Sequence, residues 1–255
     1  MTGLLAGATV LIMERVQCAA IVIGGMDYRE SDRIVTLFTL EYGVLRAIAR
    51  GAKRSSRRFG GALELFARLS VRLVVKEGLC VLEEADVVTI FPAIRQDLGK
   101  IGFASYACEV IGVLLPEGMA NQRVFRLLDA YLHQLHDASA TVSDRRFFEV
   151  NLLNILGYRP PLEDCAKCGA DLSPQGGRWR QGGSGGIYCG RCRQDGERIG
   201  AGALDRLRRA LQTGRFGLIS FTPTELVEAG ALLDGAIGVH LQRPLKSLAF
   251  LRLSP

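Results

Sequence analysis

The sequence predicts an α+β multidomain chain: a small N-terminal β-barrel of five strands, then an α-helical domain interrupted by a four-cysteine module. Three observations predict it. Short β-branched runs separated by glycine and charge fill residues 16–90, and apolar residues recur at helical spacing from Pro92 onward. Two C-x-x-C pairs, Cys165-Ala-Lys-Cys168 and Cys189-Gly-Arg-Cys192, then break the helical pattern. A chain of 255 residues is long enough for one large domain or two to three small ones, each with a sizeable core.

Taken in order, residues 1–13 are mostly apolar, yet they lack a basic leader region and a cleavage site. They are read as an N-terminal tail, either disordered or preceding a true start at Met13. Cys18–Ile23 is the first strand, with Gly24-Gly25-Met26-Asp27 expected to turn the chain. Ile34–Thr39 and Val44–Arg50 form a hairpin around Glu41-Tyr42-Gly43. Leu69–Val75 alternates cleanly, Glu77-Gly78 turns, and Leu79–Thr89 returns as the fifth strand. Five short antiparallel strands close into a barrel more readily than they form a stable open sheet, because closure removes exposed edges. The oligonucleotide-binding (OB) type is the first choice, and an SH3-like barrel the second. This domain spans 14–91.

The helical domain spans 92–160 and 200–255. Its first helix carries Leu98, Ile101, Ala104, Ala107, Cys108, Val110 and Ile111 and stops at Leu115-Pro116. A second covers Gln122–His136. A third runs from Ser143 to a glycine stop at Gly157, ahead of Pro160-Pro161. Ala201–Gln212 and Thr224–Gln242 are the last two, the latter opened by Ser220 or Thr222 with Pro223.

Residues 161–199 form the inserted module. Each C-x-x-C knuckle can aim two sulfurs at one ion, and two knuckles make a closed tetrahedral site from Cys165, Cys168, Cys189 and Cys192. Four soft thiolates with no open position suit one structural Zn2+; a redox dithiol is the competing reading. The segment between the pairs is rich in glycine, with Leu172, Trp179 and Ile187 as almost its only apolar residues, so it cannot fold alone. Cys18, Cys80 and Cys108 sit in apolar settings and read as buried hydrophobes in a reducing compartment.

The net charge is only +6, so its distribution matters more than its total. Arg46, Arg50, Lys53, Arg54, Arg57 and Arg58 form a cationic stretch with no acid among them, interleaved with Gly51, Ser55 and Ser56 and followed by Phe59. Arg46 and Arg50 fall on one face of the third strand, and the rest project from the loop behind it. Arginine forks, serine hydroxyls and loop amides all donate to a phosphate backbone. Phe59, Phe38 or Phe66 could offer a stacking face to a base. A solvated basic loop with no ligand is the competing reading. No catalytic constellation appears: His133 and His136 lack a third ligand and are read as polar surface positions, and His240 is alone. The acidic groups Glu83-Glu84-Asp86 and Asp27, Glu30 and Asp32 are read as solvated turns.

Three stretches, in order, carry a family resemblance: Tyr28-Arg-Glu-Ser-Asp32 with Leu37-Phe-Thr-Leu-Glu-Tyr-Gly-Val44; Ala49-Arg-Gly-Ala-Lys-Arg-Ser-Ser-Arg-Arg-Phe-Gly-Gly-Ala-Leu-Glu-Leu-Phe66; and the cysteine pairs after Leu156-Gly-Tyr-Arg-Pro160. Across about residues 14–250 the chain resembles the bacterial RecO family of recombination mediator proteins. The resemblance implies an OB barrel, a helical domain and a small zinc module. It also implies binding of single- and double-stranded DNA, strand annealing, contact with single-strand-binding protein, and recombinase loading with the RecR protein, in the bacterial cytoplasm at the nucleoid. On it, Arg46, Arg50, Lys53, Arg54, Arg57 and Arg58 become DNA-contact candidates, with the four cysteines as zinc ligands. The function expected is a non-enzymatic DNA-binding mediator in DNA repair. A protein-interaction adaptor with incidental DNA contact is the alternative, and a metal-dependent nuclease a more distant one. The apolar start before Met13 departs from the family pattern.

Overall fold

A computed structural model describes residues 14–59, 62–181 and 186–251, so the tail expected over 1–13 lies outside the described residues. The chain divides into two compact units. One runs to Ile90 and includes Leu115–Asn121; the other takes Phe91–Leu114 and the chain from Gln122.

The first unit is a closed barrel of five strands in the order β1-β2-β3-β5-β4, where β1 is Glu14–Tyr28, β2 Asp32–Thr39, β3 Gly43–Ala49, β4 Arg68–Val75 and β5 Cys80–Thr89. Neighbours pair antiparallel except β3 and β5, which meet in parallel at Ala47 with Cys80 and Ile48 with Val81. Inward residues alternate along each strand: Val16, Cys18, Ala20 and Val22 from β1, Val35 and Leu37 from β2, Leu45, Ala47 and Ala49 from β3, with Leu69, Val71, Leu73 and Leu82 opposite. The first strand is longer than the sequence suggests. Gly24-Gly25 does not turn the chain; the register shifts between Val22 and Gly24, and β1 continues to Tyr28. A glycine inside a strand pattern marks a bulge as readily as a turn, because both use its backbone freedom. The reversal comes at Arg29–Ser31. A short helix, α1 (Ser56–Phe59), sits between β3 and β4.

The second unit holds α2 (Pro92–Arg95), α3 (Leu98–Leu114), α4 (Gln122–Asp137), α5 (Val142–Leu156), α6 (Ala201–Thr213), α7 (Pro223–Gly238) and α8 (Lys246–Leu251). The sequence reading lacked α2 and α8. Chemistry at the ends sets the boundaries. Thr141 caps α5 by accepting from the Asp144 amide, and Gly157 ends that helix with φ of 78°. Thr222 and Glu225 form a capping box on α7, with Pro223 in its first turn. None of the described helices is long and apolar enough to cross a membrane.

Helices α3, α5 and α7 meet around a buried charge cluster. Glu149 is fully buried and accepts from Tyr106 Oη at 2.6 Å, Arg145 Nε at 2.8 Å and Arg146 Nη1 at 2.7 Å. Asp234 accepts from Arg146 Nη1 at 2.9 Å and from Arg145 Nη2 at 3.3 Å. Burial alone would raise the Glu149 pKa, but the two guanidiniums and the tyrosine hydroxyl hold it below the usual carboxylate range. Gly230 leaves room for the Arg146 guanidinium, which a side chain there would strike.

Glu149→Gln keeps the shape of this cluster and removes the charge that two buried guanidiniums share. Breaking a buried pair from one side costs about 3–5 kcal/mol. Denaturant unfolding followed in the helical unit is expected to show a loss of that size. Asp205→Asn, at an exposed pair with Arg209, is expected to cost under about 1 kcal/mol.

Candidate functional site

Strand β3 delivers the chain directly into the cationic loop. Arg46 is the exposed residue of an otherwise buried strand, and Arg50 follows its last residue. The loop is built on the β1–β2 turn: the Gly51 amide donates to Asp32 Oδ1 at 2.8 Å and the Lys53 amide to the Ser31 carbonyl at 3.0 Å. Gly51 adopts φ of 65° at the point where the chain leaves the strand. Arg58 closes the loop from its far end, donating through Nη2 to the Arg50 carbonyl at 2.8 Å and through Nε to Ser55 Oγ at 3.3 Å. Arg58 is therefore a staple within the loop, while Arg46, Arg50, Lys53 and Arg54 point to solvent. Arg57 lies in α1, its side chain outside the described residues.

Two expectations about this loop need correction. The cations are not without counter-charge: Lys53 Nζ lies 2.8 Å from Asp27 Oδ2, and Arg54 lies 3.9 Å from Glu30. Asp27 also meets Arg33 at 3.5 Å. A hydrogen bond from Lys53 holds the Asp27 carboxyl below its usual range. These acids lie at the end of β1 and in the β1–β2 turn, more than twenty residues upstream, so no local window reveals them. The stacking face is also misplaced. Phe59 is 2% exposed and packs into the barrel core; Phe38 and Phe66 are buried as well. The exposed ring of this region is Tyr28, with the Arg29 guanidinium 5.2 Å from its centroid. The sequence reading passed over both, although they open the Tyr28-Arg-Glu-Ser-Asp32 stretch.

The four cysteines converge. Sγ atoms of Cys165, Cys168, Cys189 and Cys192 all lie within 4.8 Å of one another, and those of Cys168 and Cys189 are 3.7 Å apart. A tetrahedral ion with metal–sulfur bonds of about 2.3 Å requires sulfurs about 3.8 Å apart, so the cluster is close enough to hold a metal ion. All four are free thiols, which excludes a formed disulfide. Both knuckles are tight turns: the Gly169 amide donates to the Cys165 carbonyl at 2.9 Å, and the Cys192 and Arg193 amides to the Cys189 carbonyl at 3.0 Å. Burial would push the Cys165 thiol up, but amides of Cys189, Cys168 and Lys167 bring it down to about 6, in the range where a thiolate ligand forms easily. Nearby cations are engaged locally, with Arg193 over the Tyr188 ring, Arg180 near Asp195, and Arg178 donating to the Gly196 carbonyl.

The module also has an apolar anchor. Leu162, Leu172, Trp179 and Ile187 belong to one buried cluster with Phe147 of α5, Leu207 of α6 and Leu233 of α7. Gly235 of α7 admits the Trp179 ring, since a Cβ there would lie 2.6 Å from it. Two short strands, β6 (Gly177–Trp179) and β7 (Glu197–Ile199), brace the module antiparallel.

Elsewhere the residues considered for chemistry have structural work. Glu83 pairs with Arg15 at 3.2 Å and Glu84 with Arg72 at 2.9 Å. His133 and His136 are half-exposed, in keeping with polar surface positions, and their rings also lie edge-on to Phe91 at 5.0 and 5.9 Å, with His133 Nδ1–H donating to the Asp129 carbonyl. His240 stacks on Tyr158 at 3.9 Å. Among the described residues, the four cysteines form the single group of three or more candidate ligands.

Comparison with known proteins matches both parts of the chain. Residues 13–91 match the family model described as Recombination protein O N terminal, and residues 95–249 the one described as Recombination protein O C terminal. A DNA repair protein RecO of Geobacter sulfurreducens is 57% identical over 240 residues, covering 94% of this chain and 98% of that protein. The protein of the same description from Geobacter metallireducens is 56% identical with the same coverage, and one from Symbiobacterium thermophilum is 34% identical over 91% of this chain and 94% of its own. With both halves matched and identity this high along nearly the whole length, the chain belongs to the RecO family.

Proposed function

We propose that this chain is a non-enzymatic DNA-binding mediator of recombinational repair, and that its barrel is of the OB type. The observation that carries the reading is the cationic face where β3 runs into the loop at 50–58. OB barrels are five-stranded Greek-key barrels that bind oligonucleotides on the β2–β3 face and on the β1–β2 and β4–β5 loops; the cationic loop here follows β3 and is bonded to the β1–β2 turn. The strand order β1-β2-β3-β5-β4 fits that description, and Arg46 lies on the corresponding face. Arg46, Arg50, Lys53, Arg54 and Arg57 are assigned to phosphates of single- or double-stranded DNA. Arg58 is assigned to holding the loop, and Phe59 is withdrawn from the contact set. Relatives named as DNA repair proteins support the setting. Strand annealing, engagement of single-strand-binding protein and recombinase loading with the RecR protein follow from family membership as part of the same proposal. A protein-docking role beside DNA binding is favoured by Val87, Val88 and Ile90, which are exposed at the end of β5.

The four thiolates are proposed to hold one structural Zn2+. The donor set is all sulfur, closed and supported by backbone amides, which suits a scaffold ion and leaves no position for substrate. When bound, zinc would fix the two knuckles relative to each other, while Trp179 and Leu172 seat the module in the helical core.

Five phosphate contacts give a slope of log affinity against log salt near −3.5 for single strands, taking roughly −0.7 per contact. Alanine at both Lys53 and Arg54 is expected to bring it to about −2, weakening binding to all sequences alike; an unchanged slope in a salt-series titration overturns the assignment. Asp27→Asn frees Lys53 and is expected to tighten binding at low salt roughly twofold to fivefold, the scale of one exposed ion pair. Cys168→Ser or Cys189→Ser is expected to release zinc, read by metal analysis, and to loosen the helical unit while the barrel keeps DNA affinity. If those variants stay folded and lose all DNA binding, the module is the reader and the two roles are reversed.

A further inference from the structure

We infer that Tyr28 is a stacking platform for an unpaired nucleobase, placed beside the cations that hold the phosphates; this deepens the DNA-binding reading above and rests on it. Strand register puts the pieces on one face. Val35 and Leu37 of β2 point into the barrel, so Ile34 and Thr36 point outward. Their cross-strand partners share that side: Met26 and Ile48 beside Ile34, Gly24 and Arg46 beside Thr36. Tyr28, paired with Asp32, is the next outward residue along β1, and Arg50 continues the outward series of β3. One outer face therefore carries Tyr28 and Met26 at one edge and Arg46 and Arg50 at the other, two strand spacings away.

Exposure selects Tyr28 within that face. Tyr28 is 37% exposed and Met26 58% exposed, whereas Phe38, Phe59 and Phe66 are buried and Tyr42 packs against the barrel core. An apolar ring kept at the surface, on the same outer face as a soft thioether and the exposed Arg46 and Arg50, matches the composition of single-strand sites, where aromatic faces alternate with backbone-tracking charge. The platform is rigid because the turn that follows it is anchored by the Gly51 and Lys53 amides. Arg29, at the turn's start, adopts φ of 54°, a left-handed conformation that costs a non-glycine residue, and its guanidinium lies over one face of the Tyr28 ring, so a base stacks on the opposite face or takes the place of the guanidinium. Base faces are hidden in a duplex and exposed in a single strand, while phosphates are present in both. Tyr28 thus discriminates between the two, and the loop cations do not.

The test uses the full chain and three probes of equal length: a thymidine oligonucleotide, an abasic oligonucleotide and a duplex, each titrated over a salt series. The wild-type protein is expected to bind the thymidine strand about tenfold more tightly than the abasic one. Tyr28→Ala is expected to abolish that difference, with duplex and abasic affinities and the salt slope unchanged, and Tyr28→Phe to retain it. A base-dependent difference that survives in Tyr28→Ala overturns the inference, as does an equal loss for all three probes. Wild-type binding with a steep salt slope but no preference for thymidine over abasic strand removes the stacking role alone. Absence of binding to any probe removes the DNA-binding reading and this inference with it.

Discussion

Strand β1 closes the barrel, and the candidate site follows from how it does so. Its first half pairs with β4, from Glu14 opposite Val75 to Ile21 opposite Arg68, and its second half pairs with β2 out to Tyr28. Ala20 and Ile21 are bonded on both sides. A strand shared this way removes the edges that an open five-stranded sheet would expose. Past Ile21 it leaves β4, the bulge at Val22 and Gly24 changes its direction, and the β1–β2 ribbon runs on to the turn at Arg29–Ser31. The cationic loop is bonded to that turn, so the acids, the exposed ring and the arginines are collected at one place by a single long strand.

The helical unit solves a different problem, the placement of charge and of a glycine-rich insertion in a dry interior. Two arginines and two carboxylates balance in sign, and the tyrosine hydroxyl takes another position on Glu149. Such a cluster adds little net stability over apolar packing, but it penalises any arrangement of α3, α5 and α7 that leaves one partner alone. The cysteine module docks on the same core through Trp179, Leu172 and Ile187. Its tether is double: apolar burial fixes where it sits, and the thiolates, with binding of about 10–16 kcal/mol for a structural zinc in finger peptides, fix its internal shape.

Sequence patterns revealed elements whose ends are written locally. Thr141 and Gly157 bound α5, Thr222 and Pro223 open α7, and Gly43 turns β2 into β3. The cysteine quartet was legible for the same reason, since ligand spacing within each knuckle is a local property. What was misread depends on distant partners. Gly24-Gly25 has the composition of a turn, and only the pairing of β1 with β2 makes it a bulge. Phe59 follows six cations in sequence yet folds back under them into the barrel core. The buried cluster of Arg145, Arg146 and Glu149 has no sequence signal of its own, because only the packing of Tyr106 and Asp234 against them makes it one.

The counter-charges on the loop bear on how a mediator could hold and release a strand. Lys53 already sits 2.8 Å from Asp27, so a phosphate arriving there replaces one exposed ion pair with another. The gain is a difference between two pairs, each worth less than about 1 kcal/mol at the surface, and not the whole of a new one. Arg46 and Arg50 have no acidic partner among the described residues and gain their full contact. The proposed face is therefore graded, firmest on β3 and shallowest at the turn, where Asp27 and Glu30 stand ready to take the cations back. Release can then proceed one contact at a time from the turn inward, with no step that leaves a buried charge unpaired. A protein proposed to bring strands together and pass them on benefits from that gradient, because exchange at one end does not require the whole interface to open.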